Sequence, residues 1–125
     1  MSGATRVTAN DIDPFSRHAI SLNANANKVT ISFTDRDLIG QDVTDITDVL
    51  LAGDVFYDKP LADRLIPWFD MLSAKGVMII VGDPGRSYLP KHRLKELTVY
   101  SVPVTRALED ADVKRTTVWH YSDHA

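Results

Sequence analysis

Six aspartates close apolar or β-branched segments of this chain: Asp11 and Asp13, Asp35 and Asp37, Asp54, and Asp83. In open α/β sheets ligands bind outside the carboxyl ends of the strands, so these acids stand where chemistry is to be sought. An acid ending a strand that leads into a helix can accept both hydroxyls of a ribose, which makes Asp11 a candidate for binding a nucleoside. The competing reading is that Asp11 and Asp13 only shape the turn and cap the helix that follows. Arg86, just after Gly82-Asp83-Pro84-Gly85, is the basic residue best placed to meet a carboxylate of substrate or cofactor. Other chemistries are closed. No cysteine is present, so there is no disulfide, no thiolate metal site and no cysteine nucleophile. His18, His92, His120 and His124 have no metal-ligand spacing, and no metal is expected.

The elements that must position these acids alternate between strand and helix patterns. Arg6 to Ala9 reads as a short strand, and Asp13-Pro14 suits a helix start. Phe15, Ala19, Leu22 and Ala26 form one apolar stripe along that helix, which Asn27 ends. Val29 to Phe33 predicts a second strand. Val49 to Gly53 and Val77 to Val81 are apolar at every position, the habit of parallel strands covered on both faces. Between them Asp58 to Lys75 carries Leu61, Leu65, Phe69 and Leu72 at helical spacing, with Pro67 as a kink and Gly76 as the stop. Pro90 to Leu97 reads as a short helix. Thr98 to Val104 and Val113 to Tyr121 read as strands, and the segment 105–112 is too short for a crossover helix, so they pair antiparallel.

A length of 125 residues, 44% apolar and 25% charged, is that of one globular domain spanning 1–125. No apolar stretch approaches the roughly 20 residues of a membrane-spanning helix and no signal peptide opens the chain, so a cytoplasmic protein without membrane contact is expected. The formal net charge of -3 argues against nucleic acid as partner. Lys91, His92, Arg93, Lys95, Lys114 and Arg115 form a basic patch that reads as a solvated face.

Several of these pieces in order resemble class I S-adenosylmethionine-dependent methyltransferases. They are Val7 to Pro14, Asn23 and Asn27, Asp37 to Gly40, and Asp48 to Tyr57, then Gly82 to Leu89 and Val113 to Trp119. Within that class the chain is similar to the seven-strand lysine methyltransferases of the electron-transfer flavoprotein beta subunit and to their bacterial homologues, often labelled nicotinamide N-methyltransferase or ribosomal protein methyltransferase. The resemblance implies an α/β fold with a Rossmann-like, mostly parallel sheet ending in an antiparallel hairpin. It implies S-adenosylmethionine as cofactor and N-methyl transfer to a protein lysine or a small amine. It places Asp11 on the cofactor ribose and Asp37 on the adenine amino group, with Asp35 close enough to compete. Asp54 and Tyr57 match the Asp-x-x-Tyr box beside the methyl group and the incoming nucleophile, where a carboxylate and a phenol can align an amine or receive its proton.

One part of the family pattern is missing. The glycines, at Gly3, Gly40, Gly53, Gly76, Gly82 and Gly85, form no Gly-x-Gly-x-Gly loop, and Met1 to Thr5 reads as the end of the family's first helix. The chain is thus expected to start one βα unit late, without a strand that lies centrally in the family's sheet. That leaves two ladder edges open, to be closed by direct pairing of the strands at Val7 and Val49 or by another chain, unless the sequence is a fragment of a longer protein. A homodimer or larger assembly through Thr5 to Ala9 or Val49 to Gly53 is the expected outcome. Two further readings stay open: a catalytically incompetent module that acts by association, and a dinucleotide-binding oxidoreductase, whose glycine fingerprint is also absent.

Overall fold

In the computed structural model the described residues are 6–10, 22, 24, 26, 31–103 and 113–122, with the side chains of 102, 103, 113 and 114 left aside. The chain divides into two compact units, residues 1–38 and 39–125. Asp11, Asp13 and Pro14, and with them the expected helix start, lie outside the described residues.

The first unit holds two short parallel strands, β1 (Thr8–Asn10) and β2 (Ser32–Thr34), with Ala9 opposite Phe33. Asn10 fastens their carboxyl ends: its Nδ2 donates to the carbonyls of Thr34 at 3.0 Å and Arg36 at 2.9 Å. Leu22, Ala24 and Ala26 are helical. The expected stripe is not the covered face at these positions, since Leu22 is 55% exposed and Ala26 is exposed while Ala24 is buried. A two-stranded sheet has little face to offer a helix.

The second unit is a four-stranded sheet in the order β3-β4-β6-β5. It is formed by β3 (Val49–Gly53), β4 (Met78–Asp83), β5 (Leu94–Pro103) and β6 (Val113–Tyr121). β3 and β4 are parallel and joined by helix α1 (Lys59–Ala74). β6 returns antiparallel beside β4, and β5 lies outside it, with a bulge between Glu96 and Thr98. One parallel pairing, β3-β4, is followed by the antiparallel pairings β4-β6 and β6-β5, the last being the terminal antiparallel hairpin that the sequence implies.

Helix α1 forms where its ends are satisfied. Asp58 accepts the Leu61 N–H at 2.7 Å, and Pro60 sits in the first turn, where its missing N–H costs nothing. The helix continues through Pro67. Gly76 stops it at φ +95°, with its N–H on the Ser73 carbonyl and the Val77 N–H on the Leu72 carbonyl, the paired bonds of a glycine-terminated helix. Ala62, Leu65, Trp68, Phe69 and Leu72 make the buried face of α1; Phe56 and the inward β4 residues Ile79 and Val81 complete the core. Phe69 is at the centre, edge-on to Phe56 at 6.1 Å and to Tyr121 at 5.3 Å. The buried Tyr121 hydroxyl donates to Asp70 at 2.7 Å, and Asp70 also takes Arg93 at 2.9 Å, tying helix, β6 and the turn before β5 together.

Two expectations need correction. The short helix over 90–97 is one 3-10 turn, Lys91–Arg93, and Leu94 already begins β5. Leu94 pairs with Tyr121 across the hairpin, and that ladder overrides the local helical pattern. The continuous apolar run of β3 does not have both faces covered: Val49 is 47% and Leu51 75% exposed. Among the described residues β3 pairs only with β4 and β1 only with β2.

Candidate active site

The parallel pairing of β3 and β4 brings Gly53 opposite Gly82, so the acids after them leave the sheet together. The Asp54 N–H reaches back to the Gly82 carbonyl at 2.8 Å, carrying the ladder one residue past the strand. To do so Asp54 takes φ +47°, a left-handed conformation that Asp and Asn tolerate better than most side chains and that costs free energy unless the surroundings enforce it.

Asp83 turns inward instead. It is 1% exposed, and its Oδ2 accepts the N–H groups of Gly85 and Arg86, both at 2.7 Å. Gly85 supplies the φ of +108° that this turn requires. The turn sends the Arg86 side chain across to β3, where Nε meets Asp54 Oδ1 and Nη2 meets Oδ2, each at 2.8 Å. Asp54, by hydrogen bond and then by charge, holds the guanidinium above its ordinary pKa, and the charge of Asp83 adds to this. Arg86 is therefore cationic throughout the working range of pH.

A cavity of about 210 Å³ opens here, lined by Gly53, Asp54, Gly82, Pro84 and Thr116. Tyr57 is 57% exposed, three residues beyond Asp54 and just before the Asp58 cap of α1. Asp35 and Asp37 follow β2 in the first unit and are exposed. Asp54 and Arg86 are thus brought into contact, and Asp35 and Asp37 end a parallel strand of their own unit. Asp11 lies outside the described residues.

Sequence reasoning singled out Asp83 as a strand-end acid but not as the acceptor of the turn's N–H groups, and it gave Asn10 no role. That role could have been read from the Asp-Pro-Gly turn, whose acid commonly accepts backbone N–H groups two and three residues on. Asn10 carries no comparable signal, because its role depends on how β2 ends. Among the described residues no group of three or more His, Asp or Glu side chains could hold a metal ion, and no helix is long and apolar enough to cross a membrane, which says nothing of a β-barrel.

The strand order of the second unit and the parallel pair in the first match the α/β fold of class I methyltransferases. Solved structures share this fold. N-methyltransferase NodS from Bradyrhizobium japonicum, in complex with S-adenosyl-L-homocysteine, aligns at TM-score 0.59 and 15% identity, covering 93% of this chain and 66% of that one. Sp1610 from Streptococcus pneumoniae, a putative tRNA (m1A22) methyltransferase in complex with S-adenosyl-L-methionine, aligns at TM-score 0.56 and 16% identity, covering 94% and 55%.

In sequence the chain is similar to the electron transfer flavoprotein beta subunit lysine methyltransferases. That of Xenopus laevis is 35% identical over 127 residues, 97% of this chain and 51% of the relative. The Danio rerio protein is 33% identical over 128 residues, 98% and 49%, and the human protein 32% over 127 residues, 97% and 48%. The chain spans about half the length of these curated relatives. No protein-family model matches it.

Proposed function

We propose that this chain carries the acceptor side of an S-adenosylmethionine-dependent N-methyltransferase acting on a lysine of a protein, with the two units serving as parts of one domain. The observation that carries this reading is the Asp54 carboxylate, fixed by Arg86 at the mouth of a cavity at the carboxyl ends of two parallel strands. Its support is the similarity to protein lysine methyltransferases over nearly the whole chain.

The residues fit part of the cofactor. In this reading Asp11 takes the ribose hydroxyls and Asp37 the adenine amino group, with Asp35 close enough in sequence to compete for it. Gly53 and Gly82 have no side chain to fill the cavity beside Asp54. The cavity is smaller than the roughly 300–1,000 Å³ of small-molecule sites, and the sequence has no glycine-rich loop to cradle the methionine end. When bound, S-adenosylmethionine supplies a methyl group on a sulfonium centre.

In this reading Asp54 orients the acceptor amine and offers an oxygen for its N–H, while the Tyr57 hydroxyl supplies a second contact from the next loop. Arg86 contributes through Asp54, whose carboxylate it holds. A protein lysine or a small amine satisfies the same chemistry, and the relatives favour the protein.

The small cavity beside Asp54 favours a second reading, a module that binds its partner without transferring a methyl group. Tritium-labelled S-adenosylmethionine, supplied at millimolar concentration with electron-transfer flavoprotein beta subunit, separates the two. Lysine labelling that Asp54→Asn abolishes is the expected result. Retained binding of the polypeptide with no labelling above the Asp54→Asn variant would establish the second reading in its place.

A further inference from the structure

The turn after β4 is built to deliver one cation to one carboxylate. Asp83 is buried, its Oδ2 fixes the backbone of Gly85 and Arg86, and its Oδ1 is buried without a hydrogen-bond partner. A carboxylate so placed makes the turn stiff, so Arg86 leaves a fixed base. Its guanidinium then meets both oxygens of Asp54 at 2.8 Å, a two-point fork that sets the plane of the carboxylate as well as its position. The pair is open to water, however, with side chains 44% and 42% exposed. Exposed ion pairs are nearly balanced by hydration, so a second cation can replace one of the two bonds at little cost.

We infer that Arg86 is a positioning residue that holds the Asp54 carboxylate and yields one of its oxygens to the ammonium group of the incoming lysine. This deepens, and rests on, the reading of Asp54 as the group that meets the acceptor. Lysine carries a compact charge with three donors and needs only one carboxylate oxygen, while the arginine fork keeps the other in place. A neutral or acidic side chain gains nothing by entering, because Arg86 already satisfies the carboxylate. The pair thereby admits cationic side chains and turns others away. The exchange makes and breaks hydrogen bonds only; no covalent bond changes and no proton has to leave.

The test follows the Arg86 Nε–H resonance of the full 125-residue chain, labelled with nitrogen-15, while Nα-acetyl-lysine methylamide is added. A saturable shift is expected, and the norleucine analogue, which has the same carbon chain without the ammonium, should produce none. Asp54→Asn should move the resonance to the position of a free guanidinium and remove the response. Arg86→Gln should strengthen binding of the lysine probe severalfold, read at the Asp54 amide, because the competitor is gone. Arg86→Lys, which keeps charge without the fork, should fall between wild type and Arg86→Gln, and it stands in if the glutamine variant does not fold. No shift in the wild-type chain, an equal shift with the norleucine probe, or unchanged probe affinity in a folded Arg86 variant would overturn the inference. None of these readouts uses cofactor. A failure here therefore leaves methyl transfer standing, and a failure of lysine labelling with the exchange intact counts against methyl transfer alone.

Discussion

Gly53 and Gly82 are register partners in a parallel pair, and the residue after each is an aspartate. The two acids nevertheless do different work. Asp54 continues the ladder through its N–H and turns its carboxylate to the Arg86 side chain, whereas Asp83 spends an oxygen on the backbone that presents Arg86. One register match thus sets up both halves of the clamp.

The left-handed backbone of Asp54 can be tested apart from its charge. Asp54→Gly and Asp54→Ala both remove the ion pair, but only alanine keeps a Cβ at φ +47°. The alanine variant is expected to be the less stable by about 1 kcal/mol, the lower end of the left-handed cost for an L-residue. Urea unfolding of the two variants measures the difference, and equal midpoints would show that the turn relaxes.

Phe69 touches Phe56, Trp68 and Tyr121 and is 1% exposed. Phe69→Ala leaves a cavity between α1 and the sheet and is expected to cost about 3–5 kcal/mol, enough to unfold a marginal domain. Phe69→Leu should retain much of the stability. A loss below about 1 kcal/mol for the alanine variant in denaturant titration would place the core elsewhere.

Asp42 is the carboxylate with a pH signature. The Lys75 ammonium at 2.6 Å, with the Thr44 hydroxyl and N–H, holds its pKa well below the ordinary 3.8. A folded-state pKa lowered in this way gives stability that is fully present above the unfolded value and is lost as pH falls through the folded one. The loss therefore belongs to strongly acidic solution and not to the range around neutrality. Carbon-13 titration of the side-chain carboxyls should show Asp42 ionised below its neighbours' range. Lys75→Met should raise its midpoint while the Thr44 bonds keep it under 3.8. An unchanged midpoint in that variant would assign the shift to Thr44 alone.

Much of the second unit was legible because its signals are local. Asp58 and Gly76 mark both ends of α1, the spacing of Leu65, Phe69 and Leu72 gives its buried face, and β6 falls on the predicted residues 113–121. The start of β5 was not, because Leu94 becomes a strand residue only through its partner Tyr121. The exposure of Val49 and Leu51 was hidden for a related reason: an apolar run records the cover a strand needs and not whether a neighbour in the same chain supplies it. At the site, Asp54 and Arg86 could each be singled out from strand ends and a turn. Their pairing depends on the β3-β4 register, a relation between segments that no local pattern contains.

The central claim is the proposal that Asp35 and Asp37 serve the cofactor and Asp54 the acceptor in a methyltransferase fold. Nitrogen-15 spectra of the chain titrated with S-adenosyl-L-homocysteine test it most directly. Binding is expected to be weak, in the millimolar range, because the methionine end has no backbone cradle. The shifts should cluster at Asp35 and Asp37 and over Gly53 to Tyr57 with Gly82. Shifts confined to the β5-β6 hairpin, or none up to the solubility limit, would contradict the account, and micromolar affinity would contradict the importance it gives to the missing loop.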